Sequence, residues 1–118
     1  MVPAQLELLR RLALNDETAL GQAMTGEAIT SKELDVKTST LVKLAGLVAL
    51  EAGETSYQWA VAAAHAAGAE DGEIVDVLLA VASIVGTARL NVAAPRLALA
   101  LGHDIGDGEL GEGQPGRP

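Results

Sequence analysis

Glu54, Ser56, Tyr57 and Trp59 lie close together where the polar turn Glu51-Ala-Gly-Glu-Thr-Ser56 passes into an alanine-rich stretch. Tyr57 and Trp59 are the only aromatic residues in the chain, so this junction concentrates its capacity for aromatic recognition. Glu54 is the ionisable group beside them and the candidate for moving a proton, while Ser56 offers a hydroxyl. If the stretch is helical, Glu54, Gln58, Val61 and His65 share one side. Glu54 and His65 are then roughly 16 Å apart along the axis. That is too far to act on one atom, and the stripe reads as a solvated or interface face. Ser56, Trp59, Ala60 and Ala63 form the other side. Tyr57 lies about 200° around the helix from Trp59 and faces a different neighbour. Trp59 itself reads first as a core or interface anchor, because an indole buries much area.

Other reaction types find little support. The chain contains no cysteine, which excludes disulfides, thiolate metal sites and thiol catalysis. His65 and His103 sit on separate segments without metal-ligand spacing, so neither a metal nor a cofactor is expected. There is no glycine-rich phosphate loop after a strand and no Ser-His-Asp order. Arg89 is a polar position in an otherwise apolar helix. It can pair with Asp76 or Glu73, since buried charge is normally paired, or it can hold a substrate carboxylate.

Composition narrows the class further. Hydrophobic residues make up 49% of the chain and Phe is absent, so a core must be built from Leu, Val, Ile and Ala. Small side chains let helices approach closely. The net charge is −8, which argues against nucleic acid and against an anionic membrane surface as partners. Lys43, Asp76 and Arg89 interrupt the apolar stretches, so no transmembrane helix is expected. The first 24 residues contain Glu7, Asp16 and Glu17 and no continuous apolar run, unlike a secretory leader. A soluble cytoplasmic protein is the expectation.

The elements that must position these residues are helical. Pro3 suits a first turn, and Leu6, Leu8, Leu9, Leu12 and Leu14 make an apolar stripe. Asp16 to Met24 reads as a second short helix and residues 25–34 as a connector. The third helix covers roughly 36–51 behind Asp35 as cap. The fourth covers roughly 56–67, capped by Thr55 or Ser56 and stopped by Gly68. The fifth runs from Glu73 to about Val85. Gly86 breaks the chain, and Ala88 to Leu101 forms the sixth helix, which Pro95 should kink or restart. The expectation is an all-α, single-domain bundle of about six helices over residues 1–102, with a flexible acidic Gly/Pro tail over 103–118. The third and fifth helices are apolar nearly all round. A domain of this size struggles to cover both, so a homo-oligomer is expected.

The run Leu34-Asp35-Val36-Lys37-Thr38 opens one apolar helix. Ala66-Ala67-Gly68-Ala69 is followed by Glu73-Ile74 and an apolar helix ending at Gly86. Together with Ser56-Tyr57-Gln58-Trp59-Ala60-Val61 and Ala93-Ala94-Pro95, this pattern resembles the carboxymuconolactone decarboxylase family, which includes the alkyl hydroperoxidase D-like proteins, over about residues 30–101. The resemblance implies an all-α fold assembling into trimers or hexamers. The peroxidase branch of that family carries a C-x-x-C-x-x-x-H motif. Its cysteines would fall on Gly53 and Ser56, its histidine on Ala60, and a catalytic glutamate near Thr40. All four differ here, so the chain resembles a cysteine-free branch and peroxidase activity is rejected. Because the decarboxylase branch also places its acid/base histidine in this helix, Ala60 removes that group too. What remains is a pocket lined by Trp59, with Thr40 and Ser56 as hydroxyl donors to a small organic acid or lactone, Glu54 as any acid/base group, and Arg89 on a carboxylate. The alternative is an interaction protein that keeps the assembly without the chemistry.

Overall fold

The computed structural model describes residues 3–25 and 33–103, and every regular element in them is helical. The elements are α1 (Pro3–Ala13), α2 (Glu17–Thr25), α3 (Val36–Ala49), α4 (Glu54–Ala66), α5 (Asp71–Val85) and α6 (Thr87–Ala100). Most of the expected connector and all but the first residue of the expected tail lie outside the described residues. No described helix is long and apolar enough to cross a membrane. The chain divides at Asp35 into two compact units, α1–α2 and α3–α6.

In the first unit, Leu8 and Leu12 of the α1 stripe are half-buried, whereas Leu6, Leu9 and Leu14 remain exposed. Asp16 starts α2 by accepting the Ala19 N–H at 3.0 Å, an N-cap bond that satisfies one of the free donors of the first turn. Its carboxylate also meets Arg11 at 3.3 Å. The Ala19 N–H, and after it the Arg11 guanidinium, hold the Asp16 carboxyl below its ordinary value.

In the second unit, α3 packs on α4 and α5, and α6 closes against the same pair. The core is built from Leu44 and Val48, Tyr57, Val61 and Ala64, Ile74 and Val77, and Ala93 and Leu97. Alanines at the crossing points substitute for bulk with close approach, as the absence of Phe requires.

Helix ends follow one local device. At the end of α4, Ala67 is followed by Gly68 at φ 95°. The Ala69 N–H reaches the Ala64 carbonyl at 2.9 Å and the Gly68 N–H reaches His65 at 3.0 Å. This pair of bonds is the Schellman closure, which needs a left-handed residue. The end of α3 is closed identically, with Ala52 N–H on Leu47 at 3.0 Å and Glu51 N–H on Val48 at 3.3 Å. Here the left-handed position is Glu51, at φ 54°, where a Cβ costs about 1–2 kcal/mol.

Three boundaries differ from the sequence reading. α4 starts at Glu54, with Gly53 rather than Thr55 or Ser56 at the cap and no side-chain cap bond. α5 starts at Asp71, because Glu73 reaches back to the Glu70 N–H at 2.9 Å; a Glu in the cap position is not a usual start signal. α6 runs as one helix through Pro95. Pro95 removes the partner of the Asn91 carbonyl, but both residues are exposed, so water can take that bond.

Candidate functional site

α3 and α4 enclose a cleft of about 220 Å³ between Thr40 and Lys43 on one wall and Trp59, Ala60 and Ala63 on the other. Thr40 and Lys43 are three apart on α3, and Trp59 and Ala63 four apart on α4, so each wall is one helix face. Thr40 and Trp59 thus border the same cleft. Ala60, the position where the family resemblance puts a histidine, lies on the same cleft as Thr40, where it puts a glutamate. The walls contain an alanine and a threonine where those two groups would project.

Trp59 is 75% exposed. It is not a core anchor within this chain, and its indole face is available at the cleft. Tyr57, two residues earlier, is the largest fully buried side chain of the bundle. The two aromatics thus occupy opposite environments, as their separation around the helix requires.

The hydroxyl of Thr40 donates to the Lys37 carbonyl one turn back, at 2.7 Å. Its hydrogen is engaged, so toward a ligand it presents lone pairs rather than the donor role expected from the sequence. Ser56 is exposed one turn before Trp59 and does not line the cleft, and Glu54, the first residue of α4, is also exposed and outside it. Neither is brought into contact with the space that Trp59 borders. Of the remaining stripe, Val61 is buried, while His65 pairs with Asp71 at 2.6 Å across the α4–α5 turn.

Arg89 also lies apart from the cleft. Its expected partner Glu73 is taken by Lys37, at 2.9 Å, and Arg89 itself is exposed on α6. The Lys37–Glu73 pair joins α3 to α5. It explains why the two recognisable sequence runs occur together: the lysine of the first is the ion-pair partner of the glutamate of the second, and Ile74 beside it is fully buried. Lys37, together with the Glu70 N–H, holds the Glu73 carboxyl below its ordinary value.

Sequence reasoning missed two residues. Lys43 reads as a mere interruption of an apolar run, but it is the charged group on the cleft wall. Its spacing from Thr40 was the available signal. Arg96 is the second. From α6 it donates to the Ala52 carbonyl at 2.7 Å and the Glu51 carbonyl at 3.4 Å, clamping the strained turn from which α4 departs. Beneath it, the Tyr57 hydroxyl is buried with no hydrogen-bond partner, and this burial pushes the phenol above its ordinary value.

Among the described cations, Arg10 pairs with Glu7, Arg11 with Asp16 and Lys37 with Glu73, while Arg96 holds carbonyls. Lys43 and Arg89 have no such partner among the described residues, and of these two only Lys43 faces a cavity containing an aromatic ring. No group of three or more metal-ligating side chains is present among the described residues. Residues 18–99 match the family described as the carboxymuconolactone decarboxylase family. Among curated proteins and among solved structures, nothing matches the chain.

Proposed function

The chain belongs to the carboxymuconolactone decarboxylase family, and from that premise we propose that it binds a small organic acid in the α3–α4 cleft, with the carboxylate on Lys43 and a planar body against Trp59. The observation that carries this reading is the Lys43 ammonium, without a carboxylate partner among the described residues, beside an exposed indole in a chain whose net charge is −8. A cation left without a partner on so acidic a surface is matched to an anion from outside. The floor of Ala60 and Ala63 admits a flat ligand and adds no polar group that would need satisfying. A lactone fits the same space less well, since it has no charge for Lys43 and the Thr40 hydrogen is already committed. Glu54 and Ser56 stand outside the cleft, so the reading is binding without the acid/base role expected of Glu54.

Trp59 is the only tryptophan, and its fluorescence reports on this cleft alone. Benzoate should quench it saturably at about millimolar concentration. Lys43→Gln should weaken binding about fivefold, the scale of one exposed charge pair, while benzyl alcohol should not distinguish the two proteins. Equal benzoate affinity in both, or no saturable change, refutes the assignment.

A second reading has its own support. Val36, Val42 and Leu50 of the α3 segment and Leu79 and Ile84 of α5 are exposed, Leu50 at 81% and Ile84 at 83%. Apolar surface of this kind favours a homo-oligomer, which family resemblance puts at three or six subunits. Light scattering tests it: a monomer at micromolar concentration defeats the assembly reading.

A further inference from the structure

A second cavity, of about 250 Å³, lies between α5 and α6 rather than at the Trp59 cleft. Val75 and Leu78 of α5 face Leu97 and Ala98 of α6, Leu101 follows from the end of α6, and exposed His103 supplies the polar edge. No Lys, Arg, Asp or Glu lines it. We propose that this cavity binds a compact, uncharged, hydrophobic molecule with a single hydrogen-bonding group, of the alkylphenol or cyclic-ketone type.

The size and chemistry of the walls select that class. A dry apolar cavity of about 150 Å³ already takes benzene, so this one admits a body of about ten non-hydrogen atoms. Apolar walls reward burial of a carbon skeleton. They give an ionised headgroup no counter-charge, and burying such a group unpaired is costly. The His103 side chain has no hydrogen-bond partner among the described residues, and its backbone N–H is fixed on the Ala98 carbonyl at 2.8 Å. The backbone of His103 is thereby fixed at the cavity edge, and its imidazole there can donate from one ring nitrogen and accept at the other.

The test uses the full chain, methyl-labelled at Val and Leu, titrated with para-tert-butylphenol. Saturable shifts are expected at Val75, Leu78, Leu97 and Leu101, with Trp59 fluorescence unchanged. Ala98→Leu fills the cavity and should weaken binding at least about tenfold; should that variant not fold, Ala94→Leu fills it from one turn earlier. His103→Ala should weaken the phenol while leaving tert-butylbenzene unaffected, a difference that a purely structural role for His103 would not produce. The proposal is overturned by absence of shifts up to the solubility of the probe, by undiminished binding in the filled variant, or by a filled variant of smaller apparent mass, which would show a second copy seated there. Benzoate quenching of Trp59 reads the other cleft independently, so either site can fail alone.

Discussion

Replacing Tyr57 by Phe removes one oxygen atom and leaves the rest of the side chain in place. The ring is fully buried and its hydroxyl meets no partner among the described residues. A buried hydroxyl without a hydrogen bond costs about 1–3 kcal/mol relative to a satisfied one. Taking the low end of that range, Tyr57→Phe should raise stability by about 1 kcal/mol, or about 4 °C in Tm. Chemical denaturation followed by helix content measures this directly. The same residue provides an internal check, because Tyr57 is the only tyrosine and near-ultraviolet titration follows its ionisation alone. Burial raises the phenol above its ordinary value near 10.0. The sign follows: below pH 10 both folded and unfolded chains keep the proton. As pH climbs above the unfolded value the unfolded chain loses its proton first, so stability declines. The parent should show that alkaline decline and the Phe variant should lack its tyrosine component. A loss of 1 kcal/mol or more in Tyr57→Phe, or a tyrosine titrating at or below its ordinary value, would show that the hydroxyl is bonded in solution and refute the reasoning.

Glu51→Gly should stabilise the chain by about 1 kcal/mol by relieving the left-handed position that closes α3, and a denaturant midpoint shifted upward at constant slope checks it. Gly68→Ala, at the equivalent closure of α4, should have the opposite effect by about 1–2 kcal/mol, measured in the same way. Glu73→Gln should destabilise at neutral pH. Because the folded carboxyl is held below the ordinary value of 4.5, its contribution is present above that value and lost as pH falls through the lowered one. Parent and variant should therefore converge in acid, and a gap independent of pH would show that the Lys37 pair and the Glu70 N–H bond do not act through charge.

The helices were legible because their signals are local. Apolar runs without β-turn residues, Gly68 and Gly86 as breaks, and acids before Ile74 each mark a boundary regardless of tertiary contacts. The start of α4 was less so, because Gly53 caps without a side-chain bond and leaves no residue type to read. Pro95 misled for a related reason: its penalty depends on whether the freed carbonyl of Asn91 reaches solvent, which is a property of the packed helix. At the site, the family resemblance put Thr40 near Trp59, and helix spacing set Trp59 apart from Tyr57. Spacing could not show that the Thr40 hydrogen is spent on the Lys37 carbonyl, which depends on the side-chain rotamer, or that Lys43 borders the cleft, which depends on how α3 is rotated against α4. The Lys37–Glu73 pair was visible as two sequence fragments but not as one interaction.

The alanine floor of the cleft has a consequence for how such a chain can change. Ala63 is exposed and Thr40 and Ala60 are half-buried at the cleft wall, so a larger or polar side chain at Ala63 has open space to enter instead of displacing the core. Substitutions at such surface positions usually alter stability by no more than about 0.5 kcal/mol. The cleft can therefore gain or lose chemical groups while Leu44, Val48, Tyr57 and Ile74 hold the bundle unchanged. Change at the mouth of the cleft and retention of the shape beneath it are separable, and the chemistry of the cleft can be rewritten without first rebuilding the scaffold.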